Sequence, residues 1–405
     1  VHRRDDAPSG LRIALIASSF APFVGGVEEH VARVAEQLSA RGDEVEVWTV
    51  DRGARASSAG PSAAPFGVRY LPTPLPARSA PDLGRFALRA PGALSKWSRA
   101  VREFRPDVLS VQCFGPNGLY ALGVHRRYGA PLIITSHGET LGDDNGVYAR
   151  SALLRRGLRD ALAAASAVTA PSEYVLGDLR ERFGLGATDG VVIPNGVADV
   201  GAPASHDATL RQAQRSGSSV ARRDDLLVAV GRLGRMKGFD LLIDAFVEAD
   251  IPGAELEIVG DGPERTALQE QISRVGSTGR IRLAGQATAE GVASRMAAAT
   301  AVVVPSRSEA FGIVGLEAWR SGAPLVMTSR GGAAEFVRDG EDGLLVDPTD
   351  RPALAAAIRR TLSDEPFRRI LAANGRARLP EFEWARVAES YERLFRDVVG
   401  AGSAT

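Results

Sequence analysis

The stretch Ala301-Val-Val-Val-Pro-Ser-Arg-Ser-Glu-Ala-Phe-Gly-Ile-Val-Gly-Leu-Glu-Ala-Trp-Arg-Ser-Gly-Ala-Pro324 reads as a buried strand, a turn carrying glycine, and a helix ending near Gly322. Its first four residues are apolar without alternation, as suits a strand covered on both faces. Gly312 and Gly315 permit close backbone approach where the helix begins. The free N–H groups and positive dipole end of that helix make a site for a diphosphate. Glu309 and Glu317 bracket the turn with seven residues between them. Carboxylates so placed suit hydroxyl groups at the two ends of a sugar nucleotide whose phosphates lie between them.

The same grammar extends on both sides. Residues 226–230, 256–259, 281–283, 324–327 and 344–346 predict further strands with helices between them. Towards the N-terminus, strands are expected at 11–17, 45–50, 107–111, 131–135, 167–170 and 191–193, with a helix at about 26–40. Residues 198–225 have no period and read as a linker or irregular excursion. Helices follow Pro352, and the last, at 384–399, is expected to cross back to the first domain. The fold class is α/β: two Rossmann-like, doubly wound domains facing a central cleft. The expected boundaries are 1–197, 198–383 and a C-terminal helix at 384–405. Ligands of such sheets sit at the carboxyl ends of the strands.

At 405 residues the chain has room for two cores. It carries 49 basic and 49 acidic residues, and zero net charge argues against general nucleic-acid binding. Cys113 is the only cysteine, so no disulfide framework exists and a reducing, cytoplasmic setting is expected. No apolar run approaches the roughly 18 residues of a spanning helix, and the first ten residues lack the apolar stretch of a signal peptide. Only Lys96 and Lys237 among the basic residues are lysine. Lys237 closes Gly231-Arg-Leu-Gly-Arg-Met-Lys-Gly238, a glycine-rich turn after the strand at 226–230. There Arg232 offers a planar fork and Lys237 a point charge to phosphate oxygens, and a departing nucleoside diphosphate needs such cations. The turn is not a Walker A loop, no Gly-x-Gly-x-x-Gly follows the first strand, and no Asp-x-Asp pair occurs. Histidine and cysteine are too sparse for a zinc site. Neither an obligatory metal nor another cofactor is expected.

The Glu309 to Glu317 string resembles the Glu-x7-Glu motif of the retaining GT-B glycosyltransferases of family four. Gly25-Gly-Val-Glu-Glu-His, Ile193-Pro-Asn-Gly-Val, Gly231-Arg-Leu…Lys237-Gly, Val259-Gly-Asp-Gly-Pro-Glu and Gly331-Gly-x-x-Glu335 extend the likeness in the same order over nearly the whole chain. The resemblance implies transfer of a hexose or N-acetylhexosamine, with retention, from a nucleotide sugar to a hydroxyl acceptor. A UDP-sugar is the first expectation for the donor and GDP-mannose the second. Catalysis would rest on Glu309, His137, Arg232 and Lys237. Glu309 would contact the donor sugar, Glu317 the ribose, and Arg232 with Lys237 the diphosphate. Backbone amides of Phe311, Gly312, Ile313 and Val314 would touch sugar and phosphate, Gly260 and Gln286 would line the base pocket, and His137 would approach the donor sugar. Free amides at Gly25 and Gly26 suit the donor phosphate or an anionic acceptor. Retaining glycosidases use a carboxylate nucleophile; no carboxylate here stands out as one, and the resemblance implies front-face attack.

Residues 84–104 predict a helical stretch carrying Arg85, Arg89, Lys96, Arg99 and Arg102, with Arg105 just beyond. Such a basic amphipathic surface suits anionic lipid on the inner membrane face, although a helix packed on its own domain is the commoner outcome. Pro91-Gly92 is expected to interrupt it. In the loop beside His137, Glu139, Asp143 and Asp144 are candidates for acceptor hydroxyls or a cationic amino sugar, and a solvated loop is the competing account. A small polar acceptor and a lipid-linked one both stay open. The rival readings are a sugar-nucleotide epimerase, which would not need the Glu-x7-Glu string, and a non-catalytic sugar-nucleotide sensor.

Overall fold

The computed structural model describes residues 10–23, 25–52, 64–76, 80–141, 146–198 and 225–402. Most of the expected linker at 198–225 therefore lies outside the described residues, as do Asp143 and Asp144. The chain forms two compact units, one of Val1–Pro194 with Trp384–Thr405 and one of Asn195–Glu383.

The first unit is built on seven parallel strands: β1 (Arg12–Ala17), β2 (Glu44–Val50), β3 (Gly67–Leu71), β4 (Val108–Gln112), β5 (Leu132–Thr135), β6 (Ala167–Ala170) and β7 (Val191–Val192). Their order is β3-β2-β1-β4-β5-β6-β7. The connecting helices are α1 (Gly26–Ala40), α2 (Ala80–Phe104), α3 (Pro116–Tyr128), α4 (Val147–Arg150), α5 (Ala152–Ala164) and α6 (Glu173–Phe183). Ile13 to Ala17 are all fully buried, and so are Leu109 and Val111, because helices cover both sheet faces. The edge strand β3 has no apolar run to announce it. Arg69, in its middle, instead pairs with Glu46 at 2.9 Å and Glu103 at 2.6 Å.

Pro91 does not interrupt α2, which runs through it. A proline inside a helix removes one N–H bond and crowds the preceding turn. Here Ala87, Pro91 and Gly92 are exposed, so water can serve the freed carbonyl of Ala87. Trp97, Ala93, Ala100 and Phe104 anchor the buried side of the helix.

The second unit has six parallel strands: β8 (Leu226–Val230), β9 (Glu255–Val259), β10 (Ile281–Gly285), β11 (Ala301–Val304), β12 (Leu325–Thr328) and β13 (Leu344–Val346). Their order is β10-β9-β8-β11-β12-β13. Between and after them run α7 (Phe239–Ala249), α8 (Arg265–Arg274), α9 (Ala289–Ala298), α10 (Ile313–Arg320), α11 (Arg351–Ser363) and α12 (Glu365–Arg378). The two ends of this unit meet: Val197 N–H donates to Phe382 O at 2.8 Å, and Val197 bridges Glu383.

The final helix, α13 (Trp384–Gly402), packs on α1 and belongs to the first unit. It buries Trp384, Val387, Ala388, Tyr391 and Phe395, the large ones each worth about 1.5–3 kcal/mol relative to exposure. Arg41 clips it from outside, donating to Glu392 at 3.2 Å and to Ala385 O at 3.1 Å. Each sheet reverses its direction of growth once, between β1 and β4 and between β8 and β11. Those reversals open a crevice at the carboxyl ends of the strands.

Candidate active site

In the second unit, the loops after β8 and β11 meet at the reversal point. The loop after β8 ends in a short 3-10 turn, Arg235–Lys237. From it Lys237 Nζ donates to Glu309 Oε2 at 2.7 Å, and Ser306 Oγ donates to the same oxygen at 2.7 Å. Glu309 is only 8% exposed, so its charge needs both partners. Its backbone is held as firmly: Glu309 N–H donates to Arg330 O, and Gly332 N–H donates to Glu309 O at 2.9 Å. Gly331 makes this possible. It sits at φ +123°, and a Cβ there would lie 2.1 Å from Glu309 O. The Gly331-Gly332 segment is thus a buttress for the Glu309 backbone.

The two loops are stapled by a pair that the sequence did not mark. Arg307 forks onto Asp240 with bonds of 2.7 and 2.5 Å, donates again to Arg235 O, and pairs its own N–H with Met236 O at 2.8 Å. Burial opposes charge on Asp240, but the hydrogen bonds and charge of Arg307 outweigh it and hold the carboxyl below its usual range. In hindsight the signal was an arginine beside Ser306 and an aspartate in the first turn of α7, three residues after Lys237.

Gly312 caps α10; Gly315 N–H turns back onto Gly312 O at 2.9 Å, and the N–H groups of Ile313 and Val314 precede the first intrahelical bond. Ile313 and Val314 are half-buried there, and Glu317 is half-buried further along the same helix. The Phe311 side chain belongs to the core, stacked 4.5 Å from Phe336, which leaves only its backbone for a ligand. Arg232 is exposed on the loop after β8. Gly260 N–H donates to Gly285 O at 2.8 Å, which places Gly260 beside the segment of Gln286, itself exposed. A Cβ at Gly260 would meet Gly231 O at 1.9 Å, so glycine there is a packing requirement of the paired loops. Arg232, Lys237, Glu309, Gly312 and Glu317 thus belong to two loops and one helix that meet at a single reversal point, with Gly260 and Gln286 on neighbouring loops.

In the first unit, Gly25 caps α1 and is exposed together with Gly26. Its extended φ of −176° suits any residue, so no turn geometry demands glycine there. His137 follows β5 and lies half-buried, its Nε2 3.0 Å from Gln112 Oε1 at the end of β4. Burial lowers its pKa to about 4, so the ring is neutral at pH 7. Glu139 differs from the expectation of a substrate-facing carboxylate. Its Oε1 accepts from Phe114 N–H at 2.8 Å, and its Oε2 accepts from His137 N–H at 2.8 Å and from Ser136 Oγ at 3.0 Å. The carboxylate joins the loop after β4 to the loop after β5 and fixes the backbone of His137. Among the described residues, no group of three or more His, Cys, Asp or Glu is arranged to hold a metal ion, and no helix is long and apolar enough to cross a membrane.

Comparison with known proteins shows the family of the chain. Residues 24–199 match the family model described as Glycosyltransferase Family 4, and residues 211–378 the model described as Glycosyl transferases group 1. A D-inositol 3-phosphate glycosyltransferase of Frankia alni is 30% identical over 409 residues, covering 92% of this chain and 94% of its own. A GDP-mannose-dependent alpha-(1-6)-phosphatidylinositol monomannoside mannosyltransferase of Mycolicibacterium smegmatis is 30% identical over 392 residues, covering 93% and 97%. Among solved structures, sucrose-phosphate synthase of Thermosynechococcus elongatus superposes with a TM-score of 0.77 at 25% identity, over 96% of this chain and 99% of that one.

Proposed function

The chain is a GT-B glycosyltransferase of family four, and we propose that it moves a hexosyl or N-acetylhexosaminyl group, with retention, from a nucleotide sugar to an acceptor hydroxyl. The observation that carries this is Glu309: a nearly buried carboxylate held by Lys237 and Ser306 at the reversal point of a parallel sheet, three residues before the cap of α10. Glu309 accepts hydrogen bonds from donor-sugar hydroxyls, Glu317 holds the ribose, and the first-turn amides of α10 take the diphosphate. His137 supplies a further contact to the donor sugar. A UDP-sugar is the favoured donor and GDP-mannose the second; the dependence of one relative on GDP-mannose keeps the second in play.

In the reaction, the bond from the anomeric carbon to the leaving phosphate oxygen breaks, and a bond to the acceptor oxygen forms on the same face. The acceptor proton passes to the departing phosphate. Charge that develops there is met by Arg232, Lys237 and the positive end of α10. Glu309 is not assigned as a nucleophile: its Oε2 is engaged by a cation and a hydroxyl, and its remaining acceptor capacity goes to the donor-sugar hydroxyls.

Replacing Glu309 by Ala tests the assignment. We expect turnover at saturating donor to fall by about a hundredfold or more, the range for a group that stabilises the transition state. Full turnover would remove Glu309 from the site. Thermal-shift titration with UDP- and GDP-sugars identifies the donor, since a ligand stabilises in proportion to the logarithm of its concentration over Kd. Product of inverted anomeric configuration would refute retention.

A lipid-linked acceptor has one specific observation in its favour. On α2, Leu88 is 85% exposed and Leu94 50%, among the exposed Arg85, Arg89, Lys96 and Arg99. Apolar and cationic groups on the exposed side of one helix suit an anionic lipid surface. Salt-sensitive co-sedimentation with anionic vesicles, weakened by Leu88→Asp, is the expected result. Absence of binding at low salt would leave the small polar acceptor.

A further inference from the structure

The polar atoms around Gln112 decide more than the position of His137. Gln112 ends β4 and is 1% exposed. Its Nε2 lies 2.9 Å from Ser110 Oγ and 3.2 Å from Thr135 Oγ1, and its Oε1 lies 3.0 Å from His137 Nε2. An amide nitrogen has two hydrogens, and here they meet two hydroxyl oxygens. Turned over, the amide would aim its nitrogen at the imidazole, whose Nε2 offers one lone pair. The second N–H would then be buried without an acceptor, a costly state in a protein interior. Thr135 Oγ1 in turn accepts from Thr169 Oγ1 at 2.8 Å, beside the buried phenol of Tyr391 on α13. An amide oxygen can only accept, so the hydrogen of that contact sits on His137 Nε2.

We infer that Gln112 is a positioning residue that sets the tautomer of His137, with the proton on Nε2 and the lone pair on Nδ1. The His30 ring, packed edge-on with its centroid 4.6 Å away, and the bond from His137 N–H to Glu139 fix the rest of the residue. In this state Nδ1 accepts a hydrogen bond and donates none. The functional consequence rests on the proposed contact of His137 with the donor sugar: a sugar hydroxyl is the donor in that contact. His137 then serves as an acceptor that orients the sugar and passes no proton to it. A second layer of partners that orients a functional histidine is a general device of such sites.

The test is a two-bond 1H–15N correlation spectrum of the full chain labelled at histidine, with the His137 signals assigned through H137A. The wild type should show a protonated Nε2 and a lone-pair Nδ1. Q112M should give a mixture of tautomers and lower kcat/KM by about tenfold, the scale of one buried hydrogen bond. Q112E keeps an accepting oxygen at the same place and should restore the Nε2–H tautomer. A protonated Nδ1 in the wild type, which needs no variant to fold, would overturn the inference. So would an unchanged tautomer in Q112M. The donor-sugar reading fails separately: H137A with full turnover would remove His137 from catalysis and leave the tautomer assignment standing.

Discussion

Lys237 and Glu309 hold each other at 2.7 Å, so each is the other's neutralising partner, and under the proposed function each is a binding group as well. A charge left alone in a nearly buried setting is more damaging than the loss of a pair. Lys237→Met should therefore destabilise the second unit by about 1–3 kcal/mol, below the figure for a fully buried pair because the lysine side chain is 35% exposed. Adding Glu309→Gln should recover most of that loss in thermal unfolding, while turnover stays absent. If the double variant unfolds lower than the single one, the pair is not the reason for the loss. His137 makes a different prediction. In the unfolded chain it takes up a proton near 6.5, in the folded one only near 4. As pH falls between these values the unfolded state binds more protons, so stability is lost with falling pH. His137→Phe lacks that term, and its Tm should gain on the wild type from pH 6.5 to 4. A constant Tm difference would contradict the neutral, half-buried ring.

At the scale of elements, Arg307 fastens the loop at the carboxyl end of β8 to the loop at the carboxyl end of β11. Arg307→Met should raise the donor KM about tenfold with a smaller change in kcat, since misplaced binding groups weaken ground-state contacts first. Arg307→Lys keeps the charge but loses the two-pronged fork to Asp240, and should fall between. An unchanged KM in both variants would show that the staple has no bearing on donor binding. The difference between what the sequence disclosed and what it concealed lies at this same scale. Continuous apolar runs such as 301–304 and 226–230 declared the central strands, because burial on both faces leaves no polar position. The edge strand β3 was hidden, since its half-exposed residues are held by Arg69 rather than by an apolar run. Pro91 misled because its penalty depends on exposure, which composition does not record. Glu309 and Lys237 were legible as separate motifs. Their contact was not, because it joins residues 72 apart in sequence. The engagement of Glu139 by the amides of Phe114 and His137 was equally invisible, since each bond depends on how two strands lie in the sheet.

At the scale of the whole molecule, the second unit is one continuous segment whose ends are joined by Val197 and Phe382. Residues 195–383 made alone should fold cooperatively and bind the nucleoside diphosphate, as calorimetry would show. Failure to fold would mean that the unit depends on the remainder of the chain. Removing residues 384–405 should instead weaken the first unit, which would lose the buried faces of Trp384, Tyr391 and Phe395. Protease resistance mapped along the truncated chain should fall within residues 10–194 and persist in 225–383. Loss of resistance in both segments alike would contradict this division.

The place of α13 also bears on how the protein is made. A ribosome delivers residues 1–194 first, yet their sheet lacks its last covering helix until residue 384 and its successors emerge. By then the second unit, complete at Glu383, can already have folded. The unit that is begun before residue 195 is therefore finished only after residue 383, and a chain cut off at Glu383 carries one closed body and one open one. The bare surface on α1 through that interval is the natural landing place for a chaperone.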